Sequence, residues 1–208
     1  MNISDRLKVI ADLVDTKRVI DVGCDHGYLD IYLTLYKKCC CIASDISENA
    51  MKSCRENISK YKLADRIETI VTDGINNIDI GKDDTIILSG MGTNTIIDIL
   101  KDKELPDTII ISSNNHLEDL RRFMVSIGYY IIDEVYVFEH DIHYVIIKFK
   151  KGLIKYNDFD YILGPIVIKD DIYRNYVLNH YKDILIKIPN NHVDIINKYK
   201  KIIDYIEN

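Results

Sequence analysis

The sixteen residues Arg18 to Leu33, RVIDVGCDHGYLDIYL, constrain the fold more than any other stretch of the chain. A β-branched run, Val19, Ile20 and Val22, breaks into small and polar residues. It resumes with Leu29, Tyr32, Leu33 and Leu35 at helical spacing. A strand, a glycine-containing loop and a helix in that order open a nucleotide-binding α/β fold. Gly23 and Gly27 let the backbone approach a ligand closely. Asp45 follows Gly23 by 22 residues, at the end of the next apolar run, CCCIAS. A carboxylate at the tip of a second strand can accept from both hydroxyls of a ribose.

The remaining periodicities extend this opening into a sheet. An amphipathic helix is expected over residues 3–15, with Ser4 as N-cap and Leu7, Ile10, Ala11 and Val14 on one face. Strands are expected at 18–22, 40–44, 66–72, 85–89 and 108–112, and two long β runs at 130–138 and 143–150. Helices are expected to about Lys37, from Ser47 to about Tyr61, at 95–100 and at 117–127, the last closed by Gly128. Strands alternating with helices and ending in a hairpin imply a seven-stranded, mainly parallel sheet covered on both faces, occupying residues 1–151. Beyond Gly152 and the KYNDFDY boundary, two apolar-periodic stretches flank Pro189-Asn190-Asn191, which predicts a helical hairpin over 152–208.

At 208 residues the chain has room for one full core and a small appendage. No apolar run approaches the roughly 20 residues that a membrane span needs. The N-terminus carries acids within its apolar pattern, unlike a signal peptide, so a cytoplasmic protein without a membrane partner is expected. The five cysteines, Cys24, Cys39, Cys40, Cys41 and Cys54, lack C-x-x-C spacing and read as reduced buried thiols. His140 and His143 straddle a turn with no third ligand nearby, so no metal is expected. The net charge of −6 argues against indiscriminate polyanion binding but leaves room for a local RNA-binding patch.

In a parallel sheet of this kind, ligands gather at the carboxyl ends of the strands. The loop residues there are Asp21, Gly23, Cys24, Asp25, His26, Gly27 and Tyr28, then Asp45 with Ile46, Asp73 with Gly74, Gly90 to Thr93, and Ser112 to Asn115. Acids dominate, these loops hold no Lys or Arg, and the chain has no G-x-x-x-x-G-K-[ST] motif. A dinucleotide or ATP would want cations or several free N–H groups for its phosphates. S-adenosyl-L-methionine has no phosphate and carries a sulfonium and an ammonium, so the acids suit it. The expected placement puts Asp45 on the ribose, Asp21 and Asp25 toward the cationic end and Asp73 near the adenine.

The strings ISDRLKVIADLV, VIDVGCDHGYLDIYL and ILSGMGTNTIIDIL, with the stretch from LRRFMVSIGYY to YILGPIVIKDDIYRNYVLNHYKDI, resemble the TrmK family of bacterial tRNA methyltransferases. That family acts at adenine N1 of position 22. The resemblance runs in order over nearly the whole chain. It implies a class I, Rossmann-like methyltransferase domain followed by a helical, coiled-coil-like hairpin, with tRNA as partner. For such a target, Asn114 and the Gly90-Met91-Gly92 backbone are the candidates for holding the adenine. Arg6, Lys8, Arg121 and Arg122 are candidates for phosphate contact, the last two being read alternatively as a solvated helix face. The chain departs from the family pattern in that the stretch after Asp45 lacks the usual Gly-Pro and the C-terminal hairpin looks short, and at three further places in the loops and on the helix after the first strand. Asp30 stands where the family usually has Pro, Ser89 to Thr93 replaces A-G-M-G-G, and Ser112-Ser113-Asn114 replaces Q-P-N. Because the last two fall on the target side, a methyltransferase of another substrate and a non-catalytic RNA-binding relative stay open as alternatives.

Overall fold

The central strands are apolar on both faces because helices cover both. In the computed structural model, which describes residues 1–189 and 191–208, β4 (Thr85–Ser89) and β5 (Thr108–Ser113) are buried along almost their whole length. Ile86, Ile87, Leu88, Ile109, Ile110 and Ile111 expose no surface. Each such side chain contributes about 1.5–3 kcal/mol of burial. That uniform burial selects a parallel sheet, since an antiparallel sheet with one wet face would alternate.

The other strands are β1 (Arg18–Val22), β2 (Cys40–Asp45), β3 (Ile67–Val71), β6 (Tyr129–Glu139) and β7 (Ile142–Lys151). Their order is β3-β2-β1-β4-β5-β7-β6, with β1 to β5 parallel and β7 antiparallel to both of its neighbours. The order reverses between β1 and β4. Their loops leave in opposite directions and open a crevice at the carboxyl edge. The β6–β7 turn is two residues, His140 and Asp141, both at positive φ as a type I′ turn requires.

Seven-strand, mixed-sheet architecture thus agrees with the sequence reading, and most element ends fall within a residue or two. Helix α1 (Asp5–Leu13) is capped by Ser4, whose Oγ accepts from the Leu7 N–H, and α3 (Glu48–Lys60) by Ser47, which accepts from Ala50. Helix α2 (Tyr28–Tyr32) continues as a π turn over Leu33–Lys37. Helix α4 (Thr93–Leu100) starts two residues earlier than expected, because the Thr93 hydroxyl is bonded back to the loop after β5. Helix α5 (Leu117–Ser126) completes the first unit. Four of the cysteines are buried, and Cys40 is exposed, so the expectation of buried thiols fails there.

The chain divides into two compact units, Met1–Ile154 and Lys155–Asn208. In the second, α6 (Asp158–Leu163) occupies part of the stretch read as a boundary. Its signal was present as a capping box: Asn157 accepts from the Asp160 N–H, and the Asp160 carboxylate accepts from the Asn157 N–H. Helices α7 (Asp171–Lys187) and α8 (Val193–Glu207) pair with Tyr181 against Tyr199, and Arg174 lines the same groove as Lys201 and Tyr205. That register is the one an antiparallel hairpin gives. The interruption expected at 189–191 includes Asn190, which lies outside the described residues. No helix is long and apolar enough to cross a membrane among the described residues.

Candidate methyl-donor site

The turn after β1 is fixed before any ligand arrives. The N–H groups of Gly23 and Cys24 both donate to the Ser44 carbonyl, at 2.8 and 3.0 Å, which bends the chain over the end of β2. Gly23, Asp25 and Gly27 all have positive φ. Gly27 is also wedged against α3, where a Cβ would stand 2.5 Å from the Cys54 sulfur. Gly27→Ala therefore combines backbone strain with overpacking, about 1–3 kcal/mol for each effect. Donor affinity is expected to fall at least tenfold in titration calorimetry, and Gly27→Ala/Cys54→Ala should recover the steric part alone.

Asp45 ends β2 with both carboxylate oxygens engaged by backbone. Oδ2 accepts from the Asp25 N–H at 3.2 Å and Oδ1 from the Ser47 N–H at 2.8 Å. The carboxylate is thereby held between the β1 loop and the start of α3, with lone pairs to spare for two hydroxyls. It lines a cavity of about 510 Å³ together with Arg6, Asp21, Gly23, Cys24, Asp25, His26, Tyr28, Ser89, Gly90 and Met91. That volume suits a nucleoside-sized ligand. Leu7, Leu29, Ser47 and Ala50 complete the wall. Sequence reasoning missed these four as lining, although the Ser47 N-cap signal marked where α3 begins.

Charge in the cavity favours a cationic ligand without phosphate. Asp21 is almost fully buried; burial, opposed by a hydrogen bond with Asp30 and by the Arg6 charge, pushes it up to about 7. The Cys24 thiol, hydrogen-bonded to Cys54 and buried, is held well above the usual thiol range and stays protonated. A protonated thiol is a poor nucleophile, so it does not compete for an electrophilic methyl group. These residues fit S-adenosylmethionine in size, in hydroxyl acceptors and in sign.

Several expected site residues lie off this cavity. Gly27 sits behind the loop, Ile46 is exposed, and Asp73 and Gly74 follow β3 without lining the cavity. Gly90 and Met91 line it, whereas Gly92 caps α4 and Asn114 stands exposed at the end of β5.

The expected phosphate-contacting set needs correction. Arg121 has no exposed side-chain surface and forms an ion pair with the equally enclosed Glu134, Nε to Oε1 2.8 Å, so no phosphate can reach it. Arg6 turns inward: its backbone N–H donates to Glu139, its guanidinium lies 4.9 Å over the Tyr144 ring, and its side chain is only 17% exposed. It is a cavity wall rather than an outer-surface cation. Lys8 and Arg122 are at the surface, paired with Asp5 and Glu118.

Two of the family departures prove to be partners. The Thr93 hydroxyl lies 2.9 Å from the Ser113 hydroxyl and donates to the Asn115 carbonyl at 2.7 Å, with both side chains buried. Residues changed on the loops after β4 and β5 thus tie those loops to each other and leave Asn114 beside them facing solvent.

A methyltransferase-domain family model matches residues 3–147. A putative tRNA methyltransferase of Mycoplasma genitalium is 34% identical over 192 residues, covering 86% of this chain and 85% of the relative. The chain belongs to the TrmK family. The tRNA (adenine(22)-N(1))-methyltransferase of Bacillus subtilis is 32% identical over 147 residues, covering 68% of this chain and 61% of that protein. Among solved structures, the TrmK of M. capricolum in complex with S-adenosyl-homocysteine superposes with a TM-score of 0.87 at 29% identity, covering 99% of this chain and 98% of that one. Family membership and the strand-edge cavity therefore point to the same class of ligand.

Proposed function

We propose that the chain transfers the methyl group of S-adenosylmethionine to N1 of adenine 22 in tRNA, as a cytoplasmic enzyme. The observation that carries this reading is the Asp45 carboxylate, preset at the mouth of an acid-lined cavity in a chain of the TrmK family. When bound, the donor supplies an electrophilic methyl on a sulfonium. Asp45 holds the ribose hydroxyls and Asp21 faces the cationic end.

Adenine N1 has an in-plane lone pair and needs no deprotonation, so the residues at the rim position rather than abstract. Alignment and exclusion of water supply most of the acceleration. Asn114, exposed after β5, offers an amide to the adenine edge, and the Gly90-Met91-Gly92 backbone offers carbonyls to the cationic product base. N1 is occupied in a base pair, so the target is presented unpaired or flipped out. Thr93 and Ser113 hydrogen-bond to each other, which gives these substitutions a structural role in tying the two loops together.

The test is nucleoside analysis by mass spectrometry after incubating unmodified tRNA with protein and donor. 1-Methyladenosine is expected; no methylated nucleoside, or methylation at the exocyclic amine, would refute the reading. The second unit carries Lys169, Arg174, Lys200 and Lys201, which fit it for phosphate contacts. The double variant Lys200→Glu/Lys201→Glu is expected to raise the KM for tRNA several-fold and to leave the donor Kd unchanged.

A further inference from the structure

Behind the cavity, on α2, Asp30 is fully enclosed, and neither carboxyl oxygen is reached by a well-formed hydrogen bond from an N–H or O–H donor. Its side chain meets the Asp21 carboxyl, to which it is hydrogen-bonded, with the Cys54 thiol also close by. Among the described residues, no cation forms a hydrogen bond or ion pair with the Asp30 carboxyl. Two buried carboxyl groups in contact cannot both ionise, so one proton lies between them. The surroundings decide which group keeps it. Asp21 lines the cavity and feels the Arg6 charge, whereas Asp30 lies deeper, among apolar neighbours.

We propose that Asp30 is a positioning residue, a neutral carboxylic acid that donates its O–H to Asp21 and so aims the Asp21 carboxylate at the cationic end of the methyl donor. This rests on the reading that the donor occupies the cavity. The arrangement presents one negative charge instead of two. It also gives a role to the residue that stands where the family usually has Pro.

The groups facing the pair are Arg6 from α1, Cys24 from the loop, Cys41 and Asp45 from β2, and Cys54 from α3. Burial drives both acids upward, Asp30 well above the usual carboxylate range. A raised acid keeps its proton in the folded state after the unfolded chain has lost it. The pair's contribution to stability is therefore present near pH 4 and is lost as pH rises through about 7. Donor binding has the opposite trend, because a cation prefers the ionised Asp21, and affinity should rise as pH passes through about 7.

The experiment uses the whole protein with Asp30→Leu and Asp30→Asn, their folding checked by thermal denaturation. Infrared spectroscopy of the donor-free protein at pH 8 should show a protonated-carboxyl carbonyl band that Asp30→Asn lacks, whereas in Asp30→Leu a band persists from the up-shifted Asp21. Calorimetric donor affinity against pH should then have its midpoint moved up by about one to two units in Asp30→Leu, which lacks the hydrogen bond to the anion, and restored in Asp30→Asn. A midpoint that moves down in Asp30→Leu would mean that Asp30 repels Asp21 as an anion, and would overturn the inference. So would absence of the band in a protein that binds the donor. A band with no donor binding at any pH would overturn the cavity's proposed occupant, and with it the positioning role.

Discussion

Arg121→Ala is expected to destabilise the protein by about 3–5 kcal/mol, because it leaves Glu134 as an uncompensated charge in the interior. Chemical denaturation reads this directly as a lower midpoint. Replacing both partners, Arg121→Met with Glu134→Leu, removes the stranded charge and should recover most of the loss, since the desolvation penalty disappears with the pair. Neither change is expected to alter the KM for tRNA in protein that remains folded. Native stability in Arg121→Ala together with a raised KM would return this arginine to the phosphate-contacting set.

Asp45→Ala is expected to weaken donor binding by about 1.5–3 kcal/mol, roughly ten- to 150-fold, as for loss of charge-assisted hydrogen bonds. Part of the loss is indirect, because the N–H groups of Asp25 and Ser47 are released and the β1 loop slackens. Asp45→Asn keeps one acceptor oxygen and should lose less. The two variants together separate charge from placement. Unchanged affinity in a folded Asp45→Ala protein would move the ribose to another part of the rim.

The strands were legible because each is a short β-branched or apolar run bounded by polar residues, and β1 and β4 end where that pattern ends. The capping serines were legible for the same local reason. Arg121 was misread although its spacing held the answer. It lies on the Leu117, Leu120 and Met124 stripe of α5, at i+4 from Leu117, while Arg122 falls off that stripe. Its partner, Glu134, is an acid inside the apolar β6 strand and was the second half of the same signal. Arg6 was placed near the rim, but its inward turn depends on Glu139 and Tyr144, which the hairpin brings from more than a hundred residues away. No local pattern encodes such a contact. The Asp21–Asp30 pair is opaque for a related reason: the burial of three successive residues of α2, Leu29, Asp30 and Ile31, arises from tertiary packing, and periodicity reads only one face at a time.

Position-specific methylation tests the central claim most directly. A methyl group on N1 blocks Watson–Crick pairing, so reverse transcription halts at the modified base. Two transcripts of one tRNA, with adenine or guanine at position 22, are incubated with the protein and S-adenosylmethionine and then copied by primer extension. A new stop one nucleotide 3′ of position 22 is expected in the adenine transcript only. No stop in either transcript, or the same stop in both, would contradict it.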